Sequence, residues 1–255
     1  MRRRRRPGAH RGWFAVMGAV VKPLLYAVTR RDWRGLENIP PAGAVLVVAN
    51  HVTVVDPLTL AHALYDGARR LPRFLAKAEL FRVPLVGAVL RRSGQIPVYR
   101  QTRDAMNALR EAHAALDAGE CVVIYPEGTC TRDPDGWPML GKTGVARLAL
   151  AHDVPVVPVA TWGAHRILPY GSKRPRLGRR VLVHVLVGEP IDLRAYRAAE
   201  PTRELERQVT DRIMRRVTEL LAAIRGESPP DHFFDPRAAA SRTETAVPPA
   251  AEVQR

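Results

Sequence analysis

Six short apolar runs, separated by amphipathic stretches, constrain this chain more than any other feature. They fall at residues 44–49, 73–76, 95–99, 121–125, 155–161 and 181–188. Runs of four to eight apolar residues read as strands, since a helix needs ten or more. The stretches between them read as helices. Thr102 caps a helix over 103–118, where Met106, Leu109, His113 and Leu116 form one stripe and Gly119 ends it. Residues 144–152 form a second, shorter helix. After Thr202, a third carries Leu205, Val209, Ile213, Val217, Leu220, Leu221 and Ile224 at intervals of mostly three or four residues, with a polar opposite face. That pattern fits a helix docked on a globular domain. Alternation of strands and helices predicts an α/β fold, a mixed and largely parallel sheet flanked by helices. Sites in such sheets gather at the carboxyl ends of strands.

Outside this core the sequence changes character. Residues 1–34 hold ten Lys or Arg against Asp32 alone, so +9 of the chain's net +15 sits there. Residues 1–12 read as a basic arm. Residues 13–29, WFAVMGAVVKPLLYAVT, are apolar but broken by Lys22-Pro23. A bilayer span needs about 20 apolar residues. The segment is therefore expected to lie on the membrane or insert part-way, with its basic flank on anionic lipid. Residues 226–255, rich in Pro, Ala and charge, read as a disordered tail. The expected organisation is thus a basic arm and membrane-associating helical segment over 1–34, a catalytic domain over 35–225 and a tail over 226–255. Cys121 and Cys130 fit neither a metal site nor a disulfide framework, which suits a reducing compartment.

Three strand ends carry polar motifs. Residues 50–57 read NHVTVVDP directly after the run AVLVVA. A turn there could set Asp56 against one nitrogen of His51, fixing its tautomer and leaving the other nitrogen as a general base. A helix start with ordinary polar caps would show the same residues. Residues 125–129 read YPEGT after CVVI, placing Glu127, Gly128 and Thr129 on a glycine turn. Glu127 could accept hydrogen bonds from a substrate's hydroxyls, and the turn amides could bind an anion. Residues 94–100 read GQIPVYR, ending in Arg100, which could grip a phosphate bidentately. Lys77 and Lys142 are further cations at element ends, and either could be a solvated surface charge. The run VPVVPV at 154–159 holds two prolines, which suit an edge or bulged strand.

These blocks, in this order, resemble the glycerophospholipid acyltransferase family, in its 1-acylglycerol-3-phosphate acyltransferase (lysophosphatidic acid acyltransferase) branch. NHVTVVDP is similar to the family's first block, with the family's His and Asp on His51 and Asp56. GQIPVYR is similar to the second, whose phosphate-binding arginine falls on Arg100. YPEGT is similar to the third, placing its Glu and Gly on Glu127 and Gly128. VPVVPV is similar to the fourth, with its proline on Pro158. The chain departs from the pattern in having Thr53 for a serine, and Cys130-Thr131 before Arg132 where the arginine usually follows the threonine. The resemblance implies an α/β fold with an N-terminal membrane-associated helical element and no metal or cofactor. It implies acyl transfer from acyl-CoA or acyl-carrier protein to a lysophosphatidate-type hydroxyl, in phospholipid biosynthesis at the cytoplasmic face of the cell membrane. His51 would be the base and Asp56 its partner. Acceptor phosphate would be held among Arg100, Arg132, Lys142 and Lys77, with Glu127, Gly128 and Thr129 nearby.

Other readings stay open at this point. The same chemistry could serve a glycolipid or a lipidated amine. A non-catalytic membrane-binding protein would have no need of the His51–Asp56 pair. Nucleic acid is not an expected partner: charge clusters beside an apolar segment, aromatics are 6%, and no nucleic-acid module is present. A metal hydrolase lacks the further His or Cys cluster its site would need.

Overall fold

The computed structural model describes residues 11–98, 104–172, 174–176 and 178–239. Helix α1 (Arg11–Val28) leads into strand β1 (Thr29–Arg34), then β2 (Val45–Ala49) and helix α2 (Asp56–His62). Strand β3 (Pro72–Lys77), a 3₁₀ turn (Ala78–Arg82), helix α3 (Val86–Arg92) and strand β4 (Ile96–Val98) follow. The second half runs α4 (Asp104–Asp117), β5 (Cys121–Ile124), α5 (Gly144–Ala151), β6 (Val156–Trp162), β7 (Val181–Val187), a short α6 (Arg194–Arg197) and α7 (Arg203–Arg225).

Seven strands form one sheet in the order β1-β7-β6-β2-β5-β3-β4. All neighbours are parallel except β6 and β7. The sheet is therefore mixed and mostly parallel. Its centre is β2, where Leu46 and Val48 face one core, with Leu116 of α4, Leu148 of α5 and Ile213 and Val217 of α7. Val45, Val47 and Ala49 face the other core, with Leu60 of α2 and Leu64 just after it. Burial on both faces explains why AVLVVA is apolar without alternation. Helix α7 starts as its sequence requires: Thr202 Oγ1 accepts the Leu205 N–H at 3.1 Å, and Gly226 closes it in the left-handed region at φ +68°. Gly119 ends α4 in the same conformation. Tyr99 and the expected cap Thr102 lie outside the described residues.

The structure revises three expectations. Residues 29–34 belong to the sheet, not to the N-terminal arm, because TRRDWR pairs in parallel with β7 over Thr29↔Val181 to Arg34↔Leu186. An edge strand tolerates charge, and here Asp32 receives the His184 ring nitrogen at 2.8 Å from across the pair. The proline-bearing β6 is not an edge strand but sits between β7 and β2. Pro158 is accommodated because its nitrogen faces β7 just where that strand departs: Gly188 N–H donates to Pro158 O at 2.9 Å, and no donor is needed beyond it. Part of the expected tail is ordered. Phe234 bridges Met139, and the Leu140 N–H donates to Phe234 O at 3.0 Å, so a backbone pairing returns the chain to the domain. Residues 240–255 lie outside the described residues.

Helix α1 packs through Phe14 on Tyr65, with rings 5.9 Å apart, and through Lys22, which pairs with Asp66. Its Val16, Val20 and Leu24, each four residues apart, are exposed. Among the described residues no helix is long and apolar enough to cross a membrane.

Candidate active site

Parallel pairing sets the site. β2 and β5 register as Val48↔Ile124, so the residues leaving their carboxyl ends, His51 and Glu127, emerge side by side. The His51 N–H donates to Glu127 Oε1 at 2.9 Å, in effect continuing the ladder with a side chain. Asn50 does the same toward β6. Its amide oxygen accepts the Thr161 N–H at 2.8 Å and its amide nitrogen donates to Thr161 O at 3.0 Å. Between these two clamps the chain turns sharply into α2, and the turn brings His51 and Asp56 together.

Asp56 Oδ2 lies 3.1 Å from His51 Nδ1. The same oxygen accepts the N–H groups of Val52 and Thr53 at 2.6 and 2.8 Å. Asp56 is 2% exposed and His51 14%, so the carboxylate is sealed in while the imidazole reaches the surface. The imidazole stacks on the Tyr125 ring at 4.3 Å and 18°, which fixes its plane. With Nδ1 donating to Asp56, Nε2 is left as the proton acceptor. The Cys130 sulfur sits 3.4 Å from Nε2. Burial, then Asp56 and Glu127, push the Cys130 thiol up to about 12, so it meets Nε2 as a neutral, weak donor.

The expectation that Glu127 accepts bonds from substrate hydroxyls is corrected here. Its carboxyl group is buried, with Oε1 on His51 N–H and Oε2 on Met139 N–H at 3.0 Å. Burial pushes its carboxyl up to about 8, against the opposing pull of those two N–H groups. Glu127 therefore ties the His51 loop to the segment 131–140. Thr131 strengthens that tie by donating its N–H to His51 O at 2.6 Å. Gly128 has φ +71°, and a Cβ there would meet the Lys142 side chain at 2.8 Å; glycine lets the lysine cross the turn. Thr129 is half-buried on the same turn, while Lys77 and Arg132 are exposed. Lys77 is close enough to Cys130 to oppose the rise of its thiol. Arg100 lies outside the described residues.

Three functional contacts escaped the sequence. Asn50, Tyr125 and Cys130 owe their places to strand register and loop closure. Only the adjacency of Asn50 and Tyr125 to two strand ends hinted at their position.

Comparison with known proteins follows this geometry. The acyltransferase family profile matches residues 30–162, from β1 through β6. An uncharacterized protein of Mycobacterium tuberculosis is 34% identical over 164 residues, 59% of this chain and 43% of that protein. The chloroplastic 1-acyl-sn-glycerol-3-phosphate acyltransferase BAT2 of Brassica napus is 30% identical over 151 residues, covering 58% of this chain and 42% of its own. The matched stretch thus spans less than half the length of either relative. Among solved structures, the 1-acyl-sn-glycerophosphate (LPA) acyltransferase PlsC of Thermotoga maritima superposes with a TM-score of 0.63 at 29% identity, covering 86% of this chain and 84% of that one.

Proposed function

The chain belongs to the acyltransferase family, and on that premise we propose that it moves a fatty acyl group from acyl-CoA or acyl-carrier protein to the hydroxyl of a lysophosphatidate-type acceptor. The observation that carries this reading is the His51–Asp56 pair, with Nδ1 held at 3.1 Å from a sealed carboxylate and the imidazole itself 14% exposed. A hydroxyl placed at Nε2 gives it its proton, and the oxygen attacks the thioester carbonyl. The new C–O bond forms, the C–S bond breaks, and the leaving thiolate takes the proton back from Nε2. Asp56 stabilises the imidazolium between these steps. No nucleophile from the protein is needed, which suits the neutral thiol of Cys130. Acceptor phosphate is assigned to the cations around the turn, Lys142, Arg132 and Lys77, and, from its sequence motif alone, to Arg100. The lysophosphatidate acyltransferase activity for which the Brassica and Thermotoga relatives are named supports a lysophosphatidate-type acceptor. The exposed stripe of α1 and the basic N-terminus support work at the cytoplasmic face of the cell membrane.

The test is thiol release from oleoyl-CoA with lysophosphatidate in detergent micelles, wild type against His51→Ala. Release that needs the acceptor and falls about 10²–10⁴-fold in the variant is expected. Turnover close to wild type in a folded His51→Ala protein would refute the mechanism.

A further inference from the structure

Three chain segments meet at one edge of the sheet. β2, β5 and β3 are mutually parallel, so the His51 loop, the YPEGT turn and the segment after Lys77 leave the same edge. β1 runs the other way, since it is parallel to β7 and β7 is antiparallel to β6. Its start, and with it the end of α1, therefore lies at that edge too. Arg92 of α3 stacks over Trp13 of α1 at 4.9 Å, which ties α1 to the segment 78–92.

That segment exposes apolar groups that no other described residue covers. Leu80, Val83, Leu85 and Val86 are all exposed, Leu85 at 82%. Leu85 also has φ +64°, a conformation that favours glycine and is a genuine outlier for a bulky side chain. A strained backbone that holds a leucine out into solvent is a feature to be explained by an occupant. Val54, 63% exposed on the adjacent loop, and Leu58, in the first turn of α2, flank Asp56. Around these apolar groups the segment 78–92 carries Arg82, Arg91 and Arg92 against Glu79 alone.

We propose that the loop over 80–86 is a second bilayer contact, inserting Leu80, Val83, Leu85 and Val86 among the acyl chains of an anionic membrane beside the opening of the His51 site. Apolar tips with a basic collar fit lipid headgroups over buried acyl chains better than they fit another protein's polar rim. Two contacts, α1 and this loop, hold the carboxyl edge of the sheet against the surface, so a lipid hydroxyl reaches Nε2 without leaving the interface. The inference rests on the acyl-transfer reading only for that last consequence; the docking itself stands on the exposed loop.

The experiment compares wild type with the double variant Val83→Ser, Leu85→Asn in co-sedimentation with phosphatidylglycerol–phosphatidylcholine vesicles. Leu85 is the centre of a γ-turn, φ +64° and ψ −59°, closed by the Val86 N–H donating to Pro84 O at 2.7 Å; that bond joins backbone groups, so the double variant keeps it. Vesicle affinity is expected to fall at least about tenfold, equivalent to about 1.4 kcal/mol, while thiol release with micellar lysophosphatidate stays at the wild-type level. Unchanged vesicle affinity overturns the proposal, as does a double variant that breaks a solution dimer and still binds vesicles normally. A second readout uses Leu85→Cys carrying an environment-sensitive fluorophore, made selective by the burial of Cys121 and Cys130. A blue shift on adding the vesicles is expected, and its absence refutes insertion. If wild type binds vesicles through the loop but never releases thiol, the acyl-transfer reading fails and the docking surface stands.

Discussion

At the scale of single residues, Glu127 governs the site without touching its chemistry. Its two oxygens hold two N–H groups from segments far apart in sequence, His51 and Met139. Replacing it by glutamine leaves one acceptor for two donors. Glu127→Gln is therefore expected to cost about 1–3 kcal/mol, read from urea denaturation, and to lower thiol release by loosening His51. The charge adds a pH signature. The folded carboxyl is raised from 4.5 to about 8, so the fold favours its protonated form. The sign follows: this contribution is full below 4.5 and is lost as pH rises through about 8. The stability gap between wild type and Glu127→Gln should shrink across that window, and a constant gap would contradict the shift. His51 and Asp56 were legible in the sequence because their spacing at a strand end is local. Cys130 was not legible as a neighbour of His51 Nε2, because that contact depends on Thr131 and Glu127 closing the loop. Glu127 was read as a ligand for the same reason: its acceptors face inward only once β2 and β5 are in register.

At the scale of elements, all six apolar runs became strands: β2, β5 and β6 are buried along nearly their whole length, and β3, β4 and β7 on one side. β1 gave no such run. TRRDWR has one neighbour and an exposed side, so selection for burial acts mainly on Thr29 and Trp33. Helix α4 meets the end of α5 through His113 and the C-cap residue His152, whose ring nitrogens lie 2.6 Å apart, with Asp117 3.3 Å from His152. Burial, then His152, holds His113 below the ordinary imidazole value of 6.5, with Asp117 opposing. The unfolded chain takes up the proton first as pH falls. The joint's contribution is thus full above 6.5 and is lost below it. Thermal midpoints should drop between about pH 7 and pH 5, and His113→Gln should flatten that drop. An equal drop in both proteins would rule out the pair as its source.

At the scale of the whole molecule, the N-terminal boundary is where the sheet begins. Removing residues 1–28 takes away α1 and leaves all seven strands; removing 1–34 strips β1 from β7. The shorter deletion should keep cooperative unfolding while weakening vesicle binding. The longer one should lower the unfolding midpoint as well, because Val183 and Val185 lose a covering strand. Equal stability of the two truncated chains, by circular dichroism melting, would show that β1 adds nothing to the fold.

The pairing of β1 with β7 also has a consequence in time. Thr29 finds Val181, a partner 152 residues later in the chain. At roughly 5–20 residues per second of synthesis, β1 waits on the order of 8–30 s after it is made before that partner exists. For most of that interval β1 has no partner strand, and the exposed stripe of α1 precedes it. Any partner of the α1 stripe can therefore engage the nascent chain before the sheet is complete, and the order of synthesis leaves the N-terminus open until β7 is made.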